Sequence, residues 1–320
     1  MRRWWLPLAA AAVFALLLFY VLEVDRREPA ADGKEEPRLA TFETGAVDEI
    51  EIGGPEGKLL FKRRPTDGFA WWLEPQHLPA NDTRLEYLLQ TLANLRGKPV
   101  AATEAEAGAF GLERPAWQIE LRGGGQTLLA LAVGEAVPVT GSGGERLFYA
   151  RLGGRPEIYT VPGWVIDDCA GKVDDWRERY LAELPTPEVG AVEVAWDGRR
   201  LAARRKEERW FLSVPGEGEV DAGKVRTFIN RVTFMEAREF VSDRPETAAL
   251  AGWGLDRPWL VAKLATADGS LRRELLLGKR APGRPLYYAK LADHPWVYLV
   301  EARSVEELQA AATELLQGRE

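Results

Sequence analysis

The sequence predicts an α+β protein built from an internally duplicated unit. Each copy is a mainly antiparallel sheet with packed helices, and one N-terminal transmembrane helix precedes them. Three observations carry this reading. A 19-residue stretch without a charge, Trp4 to Leu22, opens the chain. The phrase FGLERPAWQIEL at Phe110 returns as WGLDRPWLVAKL at Trp253. Around these phrases the same succession of alternating strands and one striped helix is written twice.

The apolar stretch comes first. As a helix it would span roughly 28 Å, close to the hydrocarbon thickness of a bilayer. A secretory apolar region is usually about 7–15 residues long and ends at a small-x-small cleavage site. Here the small residues, Ala9 to Ala12, sit near the start of the run, which closes on FYVLEVDRRE with bulky and charged side chains. No cysteine follows it to carry a lipid. An uncleaved signal anchor is the reading, with a cleaved signal peptide as the alternative. Lys and Arg counts nearly tie across the span, and the short basic tail (residues 1–3, with Arg2 and Arg3) decides for export of the bulk of the chain. Trp4, Trp5 and Tyr20 stand where interfacial aromatics belong. Residues 23–45, charged and holding Pro29, Gly33 and Pro37, read as a tether.

Composition bounds the remainder. With 320 residues, 46% apolar and 28% charged, the chain can fold and has room for two domains. Its net charge of −7 argues against a surface that tracks nucleic-acid phosphates. A single cysteine, Cys169, fits an exported protein without disulfides.

The first unit is placed at 46–185 and the second at 186–303, with a C-terminal helix over 304–320. VDEIEIGG, KLLFKRR and FAWWLEP form a three-strand meander, matched by GAVEVAWDG, RRLAARRKEE and RWFLSVP. Trp72 and Trp210 are expected to be equivalent. A helix follows in each unit. Asn81 or Asp82 caps the first and Leu85, Leu88, Leu89 and Leu92 stripe it. Asp221 caps the second, striped by Val225, Phe228, Ile229 and Val232. A shorter helix comes next, with capping-box spacing at Thr103/Glu106 and Asp243/Glu246. The repeated phrase ends it: Gly111 and Gly254 for a left-handed terminus, Leu112 and Leu255 to pin the turn, Pro115 and Pro258 to prevent the helix from resuming. Further strands match in pairs (LLALAVGE with RELLLGK, LFYARLGG with LYYAKLAD), and the glycine runs between them read as hairpin turns. The C-terminal helix has Ser304/Glu307 as its capping pair.

Chemistry is scarce. His77 and His294 sit beside turn residues and read as loop surface; Cys169 lacks the flanks of a cysteine enzyme. Asp167, Asp168, Asp174 and Asp175 lack EF-hand spacing. Six basic residues within Arg199–Arg209 alternate along a strand as a solvated face, with an anionic-lipid or phosphate surface as the alternative. Twelve tryptophans raise a glycan-stacking site, against which interchange of aromatics at repeat positions argues for core packing. No catalytic, cofactor-binding or metal residue is expected.

A Trp strand before Pro75, Pro79 and Ala80, a Leu-striped helix, FGLERP and WGLDRP, and then FYAR and YYAK together resemble a bacterial family of membrane-anchored, internally duplicated proteins of unknown function. Its members are found beside ABC-2-type transporters of the gliding-motility kind. The resemblance covers most of Val47 to Val300 and carries no catalytic residues. It implies a non-catalytic accessory protein outside the cytoplasmic membrane, anchored by residues 4–22 and partnered by a transporter subunit. The alternative is an extracytoplasmic module that binds glycan, peptide or lipid in a cleft between the halves.

Overall fold

Strict alternation of apolar and polar residues leaves little choice but extended chain. A computed structural model describes residues 36–317 apart from 67, 103, 139, 140, 142, 143 and 183. The first unit holds β1 (Glu49–Gly54), β2 (Gly57–Thr66), β3 (Phe69–Glu74), β4 (Leu78–Pro79), β5 (Lys98–Pro99), β6 (Trp117–Gly123), β7 (Gln126–Ala136), β8 (Leu147–Leu152) and β9 (Ile158–Pro162). The second holds β10 (Val189–Trp196), β11 (Arg199–Lys206), β12 (Arg209–Val214), β13 (Gly218–Val220), β14 (Ala237–Ser242), β15 (Leu260–Thr266), β16 (Arg272–Arg280), β17 (Leu286–Leu291) and β18 (Val297–Glu301). They form two nine-stranded antiparallel sheets, ordered β4-β3-β2-β1-β6-β7-β8-β9-β5 and β13-β12-β11-β10-β15-β16-β17-β18-β14. The two orders are the same order.

Helices are few beside this much sheet: α1 (Asp82–Ala93), α2 (Trp164–Cys169), α3 (Ala222–Thr233), α4 (Thr247–Trp253) and α5 (Ala302–Gln317). The units are therefore more sheet-dominated than expected. Both stripes are buried as their spacing predicts. Asn81 caps α1 by accepting from Arg84 N (2.8 Å), and Asp221 caps α3 by accepting from Lys224 N (2.8 Å). The shorter caps differ. Residues 104–110 form a 3₁₀ helix, and Thr103 lies outside the described residues. Helix α4 starts at Thr247 with Glu246 before it, so Asp243 is free for an ion pair instead. Helix α5 starts two residues before Ser304, and Glu307 bonds Arg303 and Arg231. The expected span at 4–22 lies outside the described residues. Among the described residues no helix is long and apolar enough to cross a membrane.

Register defines the duplication. Ile50 faces Phe61 and Leu121, as Val192 faces Ala203 and Leu264. Arg63 faces Trp71, and Arg205 faces Trp210. The partner of Trp210 is thus Trp71, not Trp72, which corresponds to Phe211. Two adjacent tryptophans hide a one-residue slip in the sequence, and pleat parity removes it: Trp71 shares a face with Leu73, and Trp210 with Leu212.

The repeated phrase behaves alike in both units. Gly111 and Gly254 take φ of +70° and +72°, and Leu112 and Leu255 are buried. A second glycine, absent from the phrase, completes the turn. A Cβ on Gly134 would run into the carbonyl oxygen of Phe110, and one on Gly278 into that of Trp253. Arg114 and Arg257 are exposed and take no part in the turn.

Candidate functional site

Two features separate this molecule from a mere pair of sheets: the way its halves are joined, and one open sheet face on which the halves differ.

The join is made by backbone first. Residues 176–181 run between the units with hydrogen bonds on both sides. Toward the first unit, Asn81 N donates to Trp176 O (2.8 Å) and Glu178 N donates to Pro79 O (2.9 Å). Toward the second, Leu181 N donates to Met235 O (3.0 Å) and Ala237 N donates to Arg179 O (2.7 Å). The same second pattern opens the first unit, where Leu39 N donates to Leu95 O (2.9 Å) and Gly97 N to Pro37 O (3.2 Å). Residues 37–40, within the segment expected to be tether, are therefore lead-in chain of the first unit, with Leu39 and Ala40 buried.

Side chains then close the seam. Trp176 is fully buried, tilted against Phe61 (centroids 5.2 Å apart), with the Arg84 guanidinium 3.8 Å above its ring. Arg84 also donates to the carbonyls of Ala170 and Asp175 (2.7 Å each). Arg177, only 4% exposed, lies 3.7 Å over Phe240 and pairs with Asp243 (2.6 Å) and Asp174 (3.2 Å). Phe69 and Trp72 of the first sheet meet His294, Trp296 and Arg273 of the second unit. His294, expected on loop surface, is buried there and stacks on Trp296 at 4.5 Å. A loop residue reaches the interior because the facing half covers it. His77 remains at the surface, stacked on Trp72 at 4.3 Å. One continuous apolar core runs through both halves.

The open faces carry the contrast. Each sheet buries one face and leaves a polar one outward. In the first sheet, Lys62, Glu49 and Arg122 stand side by side on β2, β1 and β6. Glu49 binds both cations (2.9 Å to Lys62, 2.7 Å to Arg122), and Arg122 also holds Glu120 (2.9 Å). Lys62 foremost, then Arg122, hold the Glu49 carboxyl below its ordinary value. The equivalent row on β11, β10, β15 and β16 reads Arg204, Ala191, Ala265 and Arg272. Two alanines replace the ion pair, and a groove of about 540 Å³ opens over them. Its carboxylates are engaged: Glu193 with Arg200 (3.5 Å), Glu274 with Lys263 (2.9 Å), and Asp268 with Thr266 Oγ1 (2.6 Å) and Ser270. Those hydrogen bonds, Thr266 first, bring Asp268 to a pKa of about 2.

The remaining candidates resolve into structure. Cys169 is 1% exposed, and burial first, then neighbouring Asp168, push its thiol up to about 12, out of the range of a nucleophile. Asp167 pairs with Arg146 (2.8 Å), Asp174 with Arg177, and Asp175 caps Lys172 N (2.8 Å). No group of three or more His, Cys, Asp or Glu side chains that could hold a metal occurs among the described residues. Trp71, Trp72, Trp176, Trp196, Trp210 and Trp296 are buried, and among the described residues the exposed large apolar side chains are Tyr87, Tyr180 and Phe234. None of the three is a tryptophan on which a sugar would stack.

A family model described as a domain of unknown function (DUF4340) matches residues 71–251 and again 210–319. The two matches begin at Trp71 and Trp210, the register-equivalent pair. No curated protein and no solved structure matches the chain.

Proposed function

Taking as premise that the chain belongs to the DUF4340 family, we propose a membrane-anchored, extracytoplasmic interaction protein without catalytic activity, accessory to an ABC-type envelope transport system. The observation that carries the interaction reading is an exposed aromatic pair at the join. Tyr180, on the linking segment, and Phe234, at the end of α3, are 43% and 63% exposed and meet edge-on with centroids 5.9 Å apart. Paired exposed aromatics on a rigid support are what protein interfaces use as anchors, because they bury much area at little entropic cost. A cleft-type ligand module is less well supported, since the space between the halves is filled by Phe69, Trp72, Trp176 and Trp296.

The anchor and the transport system come from elsewhere: the uncharged run at 4–22, the basic tail before it, and the family resemblance of the repeated phrases. Purification of the full chain from detergent-solubilised membranes, followed by mass spectrometry, tests the proposal. The expected result is co-purification of transporter subunits, reduced at least tenfold in a Y180A/F234A variant. Recovery of no transporter subunit with the unaltered chain overturns it.

A further inference from the structure

We infer that the groove on the second sheet is a binding site for a phosphate group, held between Arg204 and Arg272. The inference stands on the sheet face alone and does not depend on the transport reading.

Duplication supplies the control. The first sheet shows what this row looks like when it is satisfied internally: cation, carboxylate, cation, joined at 2.9 and 2.7 Å. In the second sheet the outer cation is kept, as Arg204 for Lys62, while the carboxylate Glu49 has become Ala191 and Arg122 has become Ala265. A new cation, Arg272, closes the far end of the row. Both arginines are exposed, and neither forms an ion pair among the described residues. Nearby Arg205 is used by the Pro187 carbonyl (2.8 Å), and Lys263 by Glu274. The groove thus holds two guanidinium groups that no local acid neutralises.

Geometry selects the ligand. Adjacent strands lie about 4.8 Å apart, so Arg204 and Arg272, three strands apart on one row, have Cα atoms separated by about 14 Å. Two extended arginine side chains are long enough to reach a shared group above Ala191 and Ala265, and both line the groove. One guanidinium fork satisfies both oxygens of a carboxylate, whereas a phosphate keeps further oxygens for a second fork. Glu193, Glu274 and Asp268 line the same groove and repel an anion, but their charges are already bound to Arg200, Lys263 and the Thr266–Ser270 turn. The phosphate can be free or borne by a lipid headgroup; the arginine pair reads the group common to both.

Titration calorimetry on the full chain in a non-ionic detergent tests this, with inorganic phosphate in one arm and short-chain phosphatidylglycerol below its micelle concentration in the other. Saturable binding of either probe at one site per chain, weakened by added salt, is expected. Binding of phosphate identifies a free-phosphate site, and binding of the lipid alone a headgroup site. A191E, which restores the carboxylate found in the first sheet, should weaken binding at least tenfold, and R272Q by a similar factor, with thermal midpoints within a few degrees of the parent. R272Q changes an exposed side chain and decides the matter should A191E fail to fold. No binding of either probe at 10-millimolar order, or binding unaltered in R272Q, overturns the assignment.

Discussion

Replacing Trp176 by alanine should destabilise both halves at once. Its ring is fully buried against Phe61 and under Arg84, while its backbone carbonyl is bonded to Asn81 N. Truncating a buried Trp or Phe to alanine costs about 3–5 kcal/mol, because both the transfer energy and a residual cavity are lost. For a body of this size about 2 °C is lost per kcal/mol, so the melting midpoint should fall by roughly 6–10 °C. Trp176→Phe is the informative partner. The indole Nε1 is buried without an acceptor, so phenylalanine forfeits no hydrogen bond and, leaving a smaller cavity, should lose clearly less than alanine. Differential scanning calorimetry of the full chain in detergent reads both variants. A single transition is expected in each, because the segment that carries Trp176 is hydrogen-bonded to both units. Two separate transitions of which W176A moves one alone, or a W176A shift below about 2 °C, would refute the claim that the linking segment makes the halves one cooperative body.

Other outcomes follow from the same contacts. Gly278→Ala and Gly134→Ala place a methyl against a backbone carbonyl and should each cost about 1–3 kcal/mol in urea melts, while Gly218→Ala, which meets nothing within 4 Å, should be near neutral. The Cys169 thiol should resist iodoacetamide at pH 8 in the folded chain and react once guanidinium unfolds it; labelling at equal rates in both conditions would contradict its burial. Asp268, whose folded pKa is lowered, contributes stability that is present above its unfolded value near 4 and is lost as pH falls through about 2. Thr266→Val removes the leading hydrogen bond, and its carboxyl midpoint, followed by NMR, should move up toward 4.

The long strands, both striped helices and the Gly-Leu turns were legible because each is a local pattern: period two, period 3.6, or a residue with special backbone freedom; β4, β5, β13 and β14, at the sheet edges, were not foreseen. Non-local facts were not legible. Nothing near His294 in sequence announces Phe69, which covers it from the other half. Pro37 to Ala40 look like tether because their partners, Leu95 and Gly97, lie nearly sixty positions on. The Trp71/Trp72 ambiguity needed a cross-strand partner to resolve. The groove was harder still to see, since its signal is a loss. Ala191 and Ala265 are unremarkable alone and acquire meaning only once register makes them the counterparts of Glu49 and Arg122 in the other sheet. The basic run at Arg199–Arg209 pointed to the right strand, but Arg272 completes the row from seventy positions away.

Helix α5 bears on how the flank of a unit is covered. In the first unit α2 is short and lies beside α1 before the chain departs to begin the next unit. In the second unit α5 starts from the same place, and Glu307 pairs with Arg231 on α3 at 2.8 Å. It runs for 16 residues in all, burying Val305, Leu308, Ala312 and Leu315. Stacked units propagate as long as each end offers the next one a bare flank. By running on where α2 breaks off, α5 lies along α3 and covers, in the second unit, the flank from which the first unit's chain begins its exit. Helix length at this one point sets the path of the chain: the short α2 lets it pass on to the next unit, and the long α5 lays it back along its own.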